Sequence, residues 1–243
     1  MNSTTANNPV GFPETGTAEE IIRWALDRFH PRIAIAASLQ DSVLIHMAAR
    51  IRSDVRVFSL DTGRLPEETY ACGEEIRRRL GVKIEWYFPR SDLVEKLERE
   101  KGLFSFRNSL EDRKECCYIR KVEPLQRALS GLDAWITGLR REDSPTRKSL
   151  EKIERDEAHG GIWKINPLAD WSAADIRAYL EKHHLPYNRL LDQGYPSIGC
   201  QPCTRPVAPG DDPRAGRWWW ERPEQKECGL HIGNRPDWAG EGI

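Results

Sequence analysis

The sequence has no long hydrophobic run, and none of its apolar stretches approaches the roughly 18 residues that mark a membrane-spanning helix. Residues 1–16 also lack the basic and apolar regions of a secretory signal peptide. Neither sign of charge is in excess, since 37 Lys and Arg residues stand against 38 Asp and Glu residues. These absences argue against a membrane protein and against a protein that coats nucleic acid, and they predict a cytoplasmic protein that binds neither.

Cysteine, by contrast, occurs six times. In a reducing compartment an even number of cysteines does not predict a disulfide framework, so metal binding or catalysis is the expected use. Cys72 lies within a predicted helix and is expected to pack as a small hydrophobic residue. The other five cysteines are Cys116, Cys117, Cys200, Cys203 and Cys228.

The length of 243 residues fits one large domain with an appendage, at about 150 residues per domain. With 39% hydrophobic and 31% charged residues, the composition is that of a globular protein. Residues 1–16 are polar and are expected to be disordered. We expect an α/β domain over residues 17–220, followed by a mobile, glycine-rich catalytic tail over residues 221–243.

Short apolar segments alternate with helical patterns along most of the chain. This alternation predicts an α/β fold with a doubly wound, mostly parallel sheet. The predicted strands are 33–37, 55–60, 82–87 and 134–137. The predicted helices are 17–29, 43–51, 66–80, 91–101, 117–129 and 172–183, the first and last opened by capping boxes.

Polar turns follow three of the predicted strands. The first strand runs into Ser38 and Ser42 at the start of a helix, whose free N–H groups and dipole favour anions. The turn after the second strand contains Gly63 and Arg64, and the turn after the fourth strand is the segment 138–144. Because these turns share one edge of a parallel sheet, they predict a nucleotide or phosphate site. An ordinary helix cap is the alternative for the first turn.

Four cysteines form two close pairs, Cys116-Cys117 and Cys200-x-x-Cys203. Four thiolates are typical of an iron–sulfur cluster or of zinc, and buried or redox-active thiols are a third possibility. Adjacent cysteines fit two corners of a cuboidal cluster better than one tetrahedral ion. Most of the neighbouring cations are expected on the solvated face of a helix; these are Arg113, Lys114, Arg120 and Lys121.

Cys228 differs from the other cysteines because it lies in an aperiodic, glycine-rich tail, three positions before His231. Such a setting suits a nucleophile that moves onto a substrate, although an incidental cysteine is the alternative. Arg214 and Arg217 are candidates for holding an anionic substrate. The adjacent run 218–220 of three tryptophans is expected in the core or at a subunit interface.

Taken together, these motifs resemble those of the assimilatory sulfonucleotide reductases, in particular the cluster-containing adenylyl-sulfate reductases. The first loop is a modified PP-loop that lacks both glycines of the ATP pyrophosphatase pattern. The matching elements are Ser38-x-x-Asp41-Ser42, Leu60-Asp61-Thr62-Gly63-Arg64, Cys116-Cys117, Cys200-x-x-Cys203 and Glu227-Cys228-Gly229-Leu230-His231.

The resemblance implies a fold of the adenine nucleotide α-hydrolase type and one 4Fe–4S cluster on the four paired cysteines. It implies reduction of adenosine 5′-phosphosulfate (APS) to sulfite and AMP, with Cys228 as the nucleophile that carries an S-sulfocysteine intermediate. Thioredoxin or a glutaredoxin-like protein would be the reductant. The oligomeric state stays open, with a homo-oligomer as one option. The implied substrate-binding residues are Ser38, Asp41, Ser42, Arg64, Lys121, Arg140, Arg214, Arg217 and His231.

Three alternatives remain open at this point. A reductase of 3′-phosphoadenosine 5′-phosphosulfate (PAPS), or of both nucleotides, is the nearest, although most such enzymes lack the cysteine pairs. A PP-loop iron–sulfur enzyme that thiolates tRNA is disfavoured by the neutral charge and by the missing glycines. A non-enzymatic iron–sulfur redox sensor would not require Cys228.

Overall fold

Six short strands form one sheet in the order β3-β2-β1-β4-β6-β5 in this computed structural model, which describes residues 8–144, 147–222 and 226. Every neighbouring pair is parallel except β5 and β6, which are antiparallel. The strands are β1 Ile33–Ala36, β2 Val57–Leu60, β3 Ile84–Tyr87, β4 Ala134–Thr137, β5 Ile153–Asp156 and β6 Ile162–Ile165. The expected doubly wound, mostly parallel α/β fold is confirmed.

Helices connect and cover the strands. Among the described residues, none of these helices is long and apolar enough to cross a membrane. Their bounds are α1 Ala18–Phe29, α2 Val43–Ile51, α3 Glu67–Leu80, α4 Ser91–Lys101, α5 Leu110–Cys117, α6 Glu123–Leu129 and α7 Ala173–Lys182.

Capping boxes open α1 and α7 as the sequence predicts. The Thr17 hydroxyl accepts from the Glu20 N–H at 3.3 Å, and the Glu20 carboxylate accepts from the Thr17 N–H at 2.7 Å. Ser172 and Asp175 make the same reciprocal pair at the start of α7. Both helices therefore begin where local chemistry satisfies the first free N–H groups.

The predicted helix over 117–129 differs from the observed structure. Helix α5 begins earlier, at Leu110, because the Ser109 hydroxyl caps it by accepting from the Asp112 N–H. A π-helical turn, Tyr118–Val122, then leads into α6. Pro124 falls in the first turn of α6, where its missing N–H costs no hydrogen bond. The π turn directly follows the adjacent cysteines, and such turns are frequent at functional sites.

Strands β5 and β6 were not expected from the sequence. β5 contains Glu154, Arg155 and Asp156, and it pairs with only one neighbour, so its apolar pattern is weak. Its polar side chains find partners across the sheet, as in the ion pair of Glu154 with Lys164 at 2.9 Å. Cross-strand pairing therefore stabilises a segment that lacks local strand signals.

Residues 9–16, which the composition predicts to be disordered, instead contact the domain. The ring of Phe12 packs edge-on against Trp24 of α1, with 5.0 Å between the centroids. The Lys152 ammonium donates to the main-chain oxygens of Glu14 and Gly16. These contacts join the described part of the N-terminal segment to α1 and to the chain just before β5.

Both faces of the sheet are buried, which explains the continuous apolar runs in β1 and β4. Helices α1, α2, α3 and α7 contribute to a core on one face. On the other face α6 packs on Phe58 and Trp135. A third, smaller cluster includes Cys116, Cys200 and Cys203 together with Leu97, Phe106, Ile119 and Trp218.

Candidate active site

A crevice of about 340 Å³ opens at the carboxyl ends of β1, β2 and β4. This is the edge where nucleotides bind in open parallel sheets. The polar and charged side chains that line it are Ser38, Gln40, Asp41, Ser59, Thr62, Lys121, Thr137, Arg140, Glu142, Asp143, Arg147, Ser197, Arg214 and Arg217.

The loop after β1 has a tightly hydrogen-bonded structure of its own. Leu39 has a positive φ of 56°, and its fully buried side chain packs into the hydrophobic core. Asp41 accepts from the Val43 N–H at 3.0 Å, and burial raises the pKa of this carboxyl. Ser42 is also buried, and its hydroxyl donates to the Pro186 carbonyl at 2.7 Å. Ser38 and Asp41 therefore line the crevice, and Ser42 does not.

Arg140 follows β4 and reaches the crevice from one side. Its Nη2 donates to Asp143 Oδ1 at 2.6 Å. Its Nη1 is buried and has no hydrogen-bond partner among the described residues. A buried donor without a partner is costly, and an anionic ligand would relieve that cost. Arg147 lines the same side and was not identified from the sequence, although it lies only three residues beyond the polar turn 138–144.

Lys121, Arg214 and Arg217 also line the crevice. Lys121 comes from the π turn between α5 and α6. The guanidinium of Arg217 lies 4.7 Å from the ring of Trp218, which is itself almost completely buried. Five cationic side chains thus surround the crevice, which suits a ligand with several negative charges.

The four paired cysteines lie around a second, smaller cavity of about 20 Å³ beside the crevice. Among the described residues, none of these four cysteines forms a disulfide bond. Three residues, Lys121, Arg217 and Trp218, line both cavities. The second cavity is further lined by Arg64, Phe106, Arg113, Cys116, Cys117, Arg120, Cys200 and Cys203.

Two structural elements bring these cysteines together. Cys116 and Cys117 end α5, while Cys200 directly precedes the short 3₁₀ turn Gln201–Cys203 and Cys203 ends it. The turn is fastened to the loop after β2, since the Gln201 N–H donates to the Arg64 carbonyl at 2.8 Å. In the same loop the Thr62 hydroxyl accepts from Cys200 Sγ at 3.2 Å.

Burial and nearby cations shift the pKa values of these thiols in different directions. Burial raises the pKa of Cys203 to about 12 and also raises that of Cys116. Burial acts in the same sense on Cys200, but Lys121, a hydrogen bond from the Thr62 hydroxyl to the ionised sulfur, and Arg217 outweigh it, so the pKa of Cys200 is lowered. Cations therefore stabilise negative charge at this site.

Four soft sulfur donors, buried among cations, are the donor set that a thiolate-ligated iron–sulfur cluster needs. Within the described residues, His, Cys, Asp and Glu side chains form no group of three or more that could hold a metal ion. The fit of the site to a cluster therefore rests on the type of donor and on the surrounding positive charge.

The structure corrects the sequence-based expectation that Arg64 contacts the same ligand as Ser38. It lines the cysteine cavity instead of the crevice. Its Nη2 donates to Glu98 Oε1 at 2.6 Å and to the Leu103 carbonyl at 2.7 Å.

The expectation of a solvated helix face was also wrong for two cations near the first cysteine pair. Arg113 and Arg120 are only 2% and 6% exposed, and both line the cysteine cavity. Lys114 is exposed, as expected.

Cys228 and His231 lie outside the described residues. Lys226, two positions before Cys228, is described and lies next to the crevice. Its main-chain oxygen accepts from Arg214 Nη2 at 2.9 Å, and its ammonium donates to the Ala215 carbonyl at 3.2 Å. The chain therefore passes a crevice residue just before it reaches Cys228.

The sheet and the loop after β1 define a nucleotide-binding α/β protein with a PP-loop-like fold. Residues 30–206 match the phosphoadenosine phosphosulfate reductase domain family. The chain belongs to this family, and the resemblance seen in the motifs is confirmed.

Relatives and a solved structure agree with this assignment. An adenosine 5′-phosphosulfate reductase of Burkholderia cepacia is 51% identical over 205 residues, which are 84% of this chain and 82% of that protein. One of Allochromatium vinosum is 52% identical over 201 residues, 82% of this chain and 78% of that protein. The crystal structure of a phosphoadenylyl-sulfate reductase from Candida auris is 29% identical, with a TM-score of 0.67 over 78% of this chain and 91% of that one.

Proposed function

We propose that this protein reduces APS to sulfite and AMP in assimilatory sulfate reduction. Relatives that are about half identical over most of the chain carry the name adenosine 5′-phosphosulfate reductase. The observation that carries the proposal is the position of a cation-lined nucleotide crevice directly against four thiols, with Lys121 and Arg217 shared by both cavities.

The first step is attack of the Cys228 thiolate on the sulfate sulfur of APS. A sulfur–sulfur bond forms, the bond from that sulfur to the phosphate oxygen breaks, and AMP leaves with the electron pair. AMP is a good leaving group, so the main barrier is the approach of a thiolate to an anionic group. Lys121, Arg140, Arg214 and Arg217 lower this repulsion, as preorganised cations do in other active sites.

An external dithiol completes the reaction. A thiolate of thioredoxin or a glutaredoxin-like protein attacks Cys228 Sγ, sulfite leaves with the bonding electron pair, and the second thiol of the reductant resolves the mixed disulfide. Cys72, the described cysteine outside the paired sites, is 3% exposed, and burial raises its pKa to about 12. It is therefore unsuited to act as an internal resolving thiol.

We assign Cys116, Cys117, Cys200 and Cys203 as ligands of one 4Fe–4S cluster. When bound, the cluster supplies an electrostatic influence on the neighbouring substrate site. Lys121 and Arg217 line both cavities, so these two side chains couple the charge at the cysteines to the charge in the crevice. We place the activity in the cytoplasm, whose reducing conditions keep cysteines such as these out of disulfide bonds and available as ligands.

PAPS is the second candidate substrate, favoured by the name of the Candida auris structure. The two nucleotides differ by a 3′-phosphate, and comparison of kcat/KM for APS and PAPS separates them. A higher kcat/KM for APS is expected, and a clear preference for PAPS would overturn the substrate assignment.

The reaction class is tested by anaerobic incubation with APS in the absence of a reductant, followed by intact mass measurement. We expect one added sulfonate on the wild-type protein and none on Cys228→Ser, which retains its fold and cluster. Cys72→Ser is the matched control and should acquire the adduct. Binding of APS without any adduct would contradict the mechanism and would favour a non-enzymatic sensor.

A further inference from the structure

Glu98 on α4 joins two arginines that reach the cysteine cavity. One carboxylate oxygen, Oε1, accepts from Arg64 Nη2 at 2.6 Å and from Arg120 Nη2 at 2.7 Å. The side chains of Glu98, Arg64 and Arg120 are 17%, 16% and 7% exposed. Because water screens this group poorly, its charges interact more strongly than those of a surface pair.

Both arginines are connected to the Cys200-x-x-Cys203 turn. Arg120 Nη1 donates to the Thr62 carbonyl at 2.8 Å, and the Thr62 hydroxyl accepts from Cys200 Sγ. The main-chain oxygen of Arg64 accepts from the Gln201 N–H. A chain of direct contacts therefore runs from the Glu98 carboxylate to the cysteine site.

The Glu98 carboxylate also determines the net charge of this group. Arg64 and Arg120 would repel each other without an anion between them, and both line the small cavity that the thiols share. With Glu98 present, the group of Glu98, Arg64 and Arg120 carries a net charge of one positive unit instead of two. A thiolate-ligated cluster carries negative charge, and its reduction potential depends on such neighbouring charges.

We infer that Glu98 is a positioning residue for the cluster site, where it holds Arg64 and Arg120 against the cysteines and sets the positive charge that the cluster experiences. The inference rests on the proposed 4Fe–4S cluster. It goes beyond the proposed reaction, because Glu98 contacts neither the crevice nor a thiol and acts through the two arginines.

The test measures the midpoint reduction potential of the anaerobically purified holoenzyme and the rate at which a chelator removes its iron. Glu98→Gln keeps the side-chain length and an acceptor oxygen but removes the negative charge, so we expect a higher potential and a retained cluster. Glu98→Ala removes the anchor as well, and we expect several-fold faster iron release. Glu100→Gln is the matched control, since it removes the same charge from an exposed position on α4.

The outcomes separate this inference from the proposed cofactor. A Glu98→Gln potential equal to that of Glu100→Gln would overturn the inference, even if Glu98→Ala were less stable, because a charge that acts on the cluster must shift its potential. Wild-type protein purified anaerobically without iron would refute the cofactor itself. Wild-type protein that holds iron and shows the Glu98→Gln shift supports both.

Discussion

Arg217 is the residue that most directly connects the two cavities. It is 6% exposed, lines both the crevice and the cysteine cavity, and packs on the Trp218 ring. Gly199, directly before Cys200, makes this position possible, because a Cβ at Gly199 would overlap the Arg217 guanidinium. The absence of a side chain at one position thus determines where a cation lies.

We predict that Gly199→Ala raises KM for APS about tenfold or more while the protein stays folded, because the displaced guanidinium loses a charge-assisted contact worth about 1.5–3 kcal/mol. Steady-state kinetics measure this. Arg217→Gln should have a similar effect, and the double variant should be no worse than Arg217→Gln alone. Fully additive losses would show that Gly199 acts independently of Arg217.

At the scale of elements, α2 and α7 meet through a half-buried group of rings. His46 Nδ1 lies 3.0 Å from the Tyr179 hydroxyl, and the His183 ring centroid is 5.0 Å from that of His46. Burial, then the charges of His183 and Arg50, lower the pKa of His46 below 6.5, while Glu19 acts in the opposite direction. The contact between these helices therefore favours the neutral imidazole.

This shift predicts how stability depends on pH. Well above pH 6.5 His46 is neutral in both the folded and the unfolded chain. As the pH falls below that value, the unfolded chain binds a proton first, so the free energy of unfolding decreases until the folded ring is also protonated. His46→Gln should remove this part of the slope in urea unfolding curves measured between about pH 5 and 7.

The His46→Gln curves are compared with those of the wild-type protein over the same pH range. An unchanged slope in His46→Gln would mean that the pH dependence originates at another group.

At the scale of the whole molecule, the chain beyond the family match returns to the cysteine site. The Trp218 N–H donates to the Cys203 carbonyl at 3.2 Å, and the Trp218 ring lies 4.7 Å from the Arg113 guanidinium. Arg113 also pairs with Glu221 at 2.9 Å, with side chains only 2% and 6% exposed. This buried pair anchors the segment that leads to Lys226 and Cys228.

We predict that Glu221→Gln lowers the free energy of unfolding by about 3 kcal/mol, because it leaves a buried guanidinium without its carboxylate. Equilibrium urea unfolding measures the loss. Glu74→Gln, which breaks an exposed pair with Arg77 that water screens, should cost clearly less. Equal losses in the two variants would show that the burial of the Arg113 pair adds nothing to stability.

Local sequence patterns predicted much of the fold and part of the site. The strand Ala134–Thr137 and the helix Ser91–Lys101 were predicted at their observed bounds, and the capping boxes marked the start of α1 and α7. Three polar turns at the strand ends identified the edge where the crevice lies. The close spacing within each cysteine pair indicated a shared site, and the structure places both pairs around one cavity.

Other features were decided only by the tertiary structure. Arg64 and Arg140 both follow strands in similar polar turns, yet Arg140 lines the crevice and Arg64 turns to Glu98, which lies 34 residues away in sequence. Likewise, Arg113 has the sequence context of a solvated helix but is buried because Glu221 and Trp218 cover it.

The difference between the features that the sequence determines and those that the tertiary structure decides has a physical reason. Caps, turns and buried strands depend on interactions within a few residues, so the sequence alone determines them together with the chemistry of the sulfur donors. The direction of a long cationic side chain depends on which anion or aromatic ring packing brings near it. That choice joins residues far apart in sequence, as in Glu98 with Arg64 and Arg120, and only the folded chain decides it.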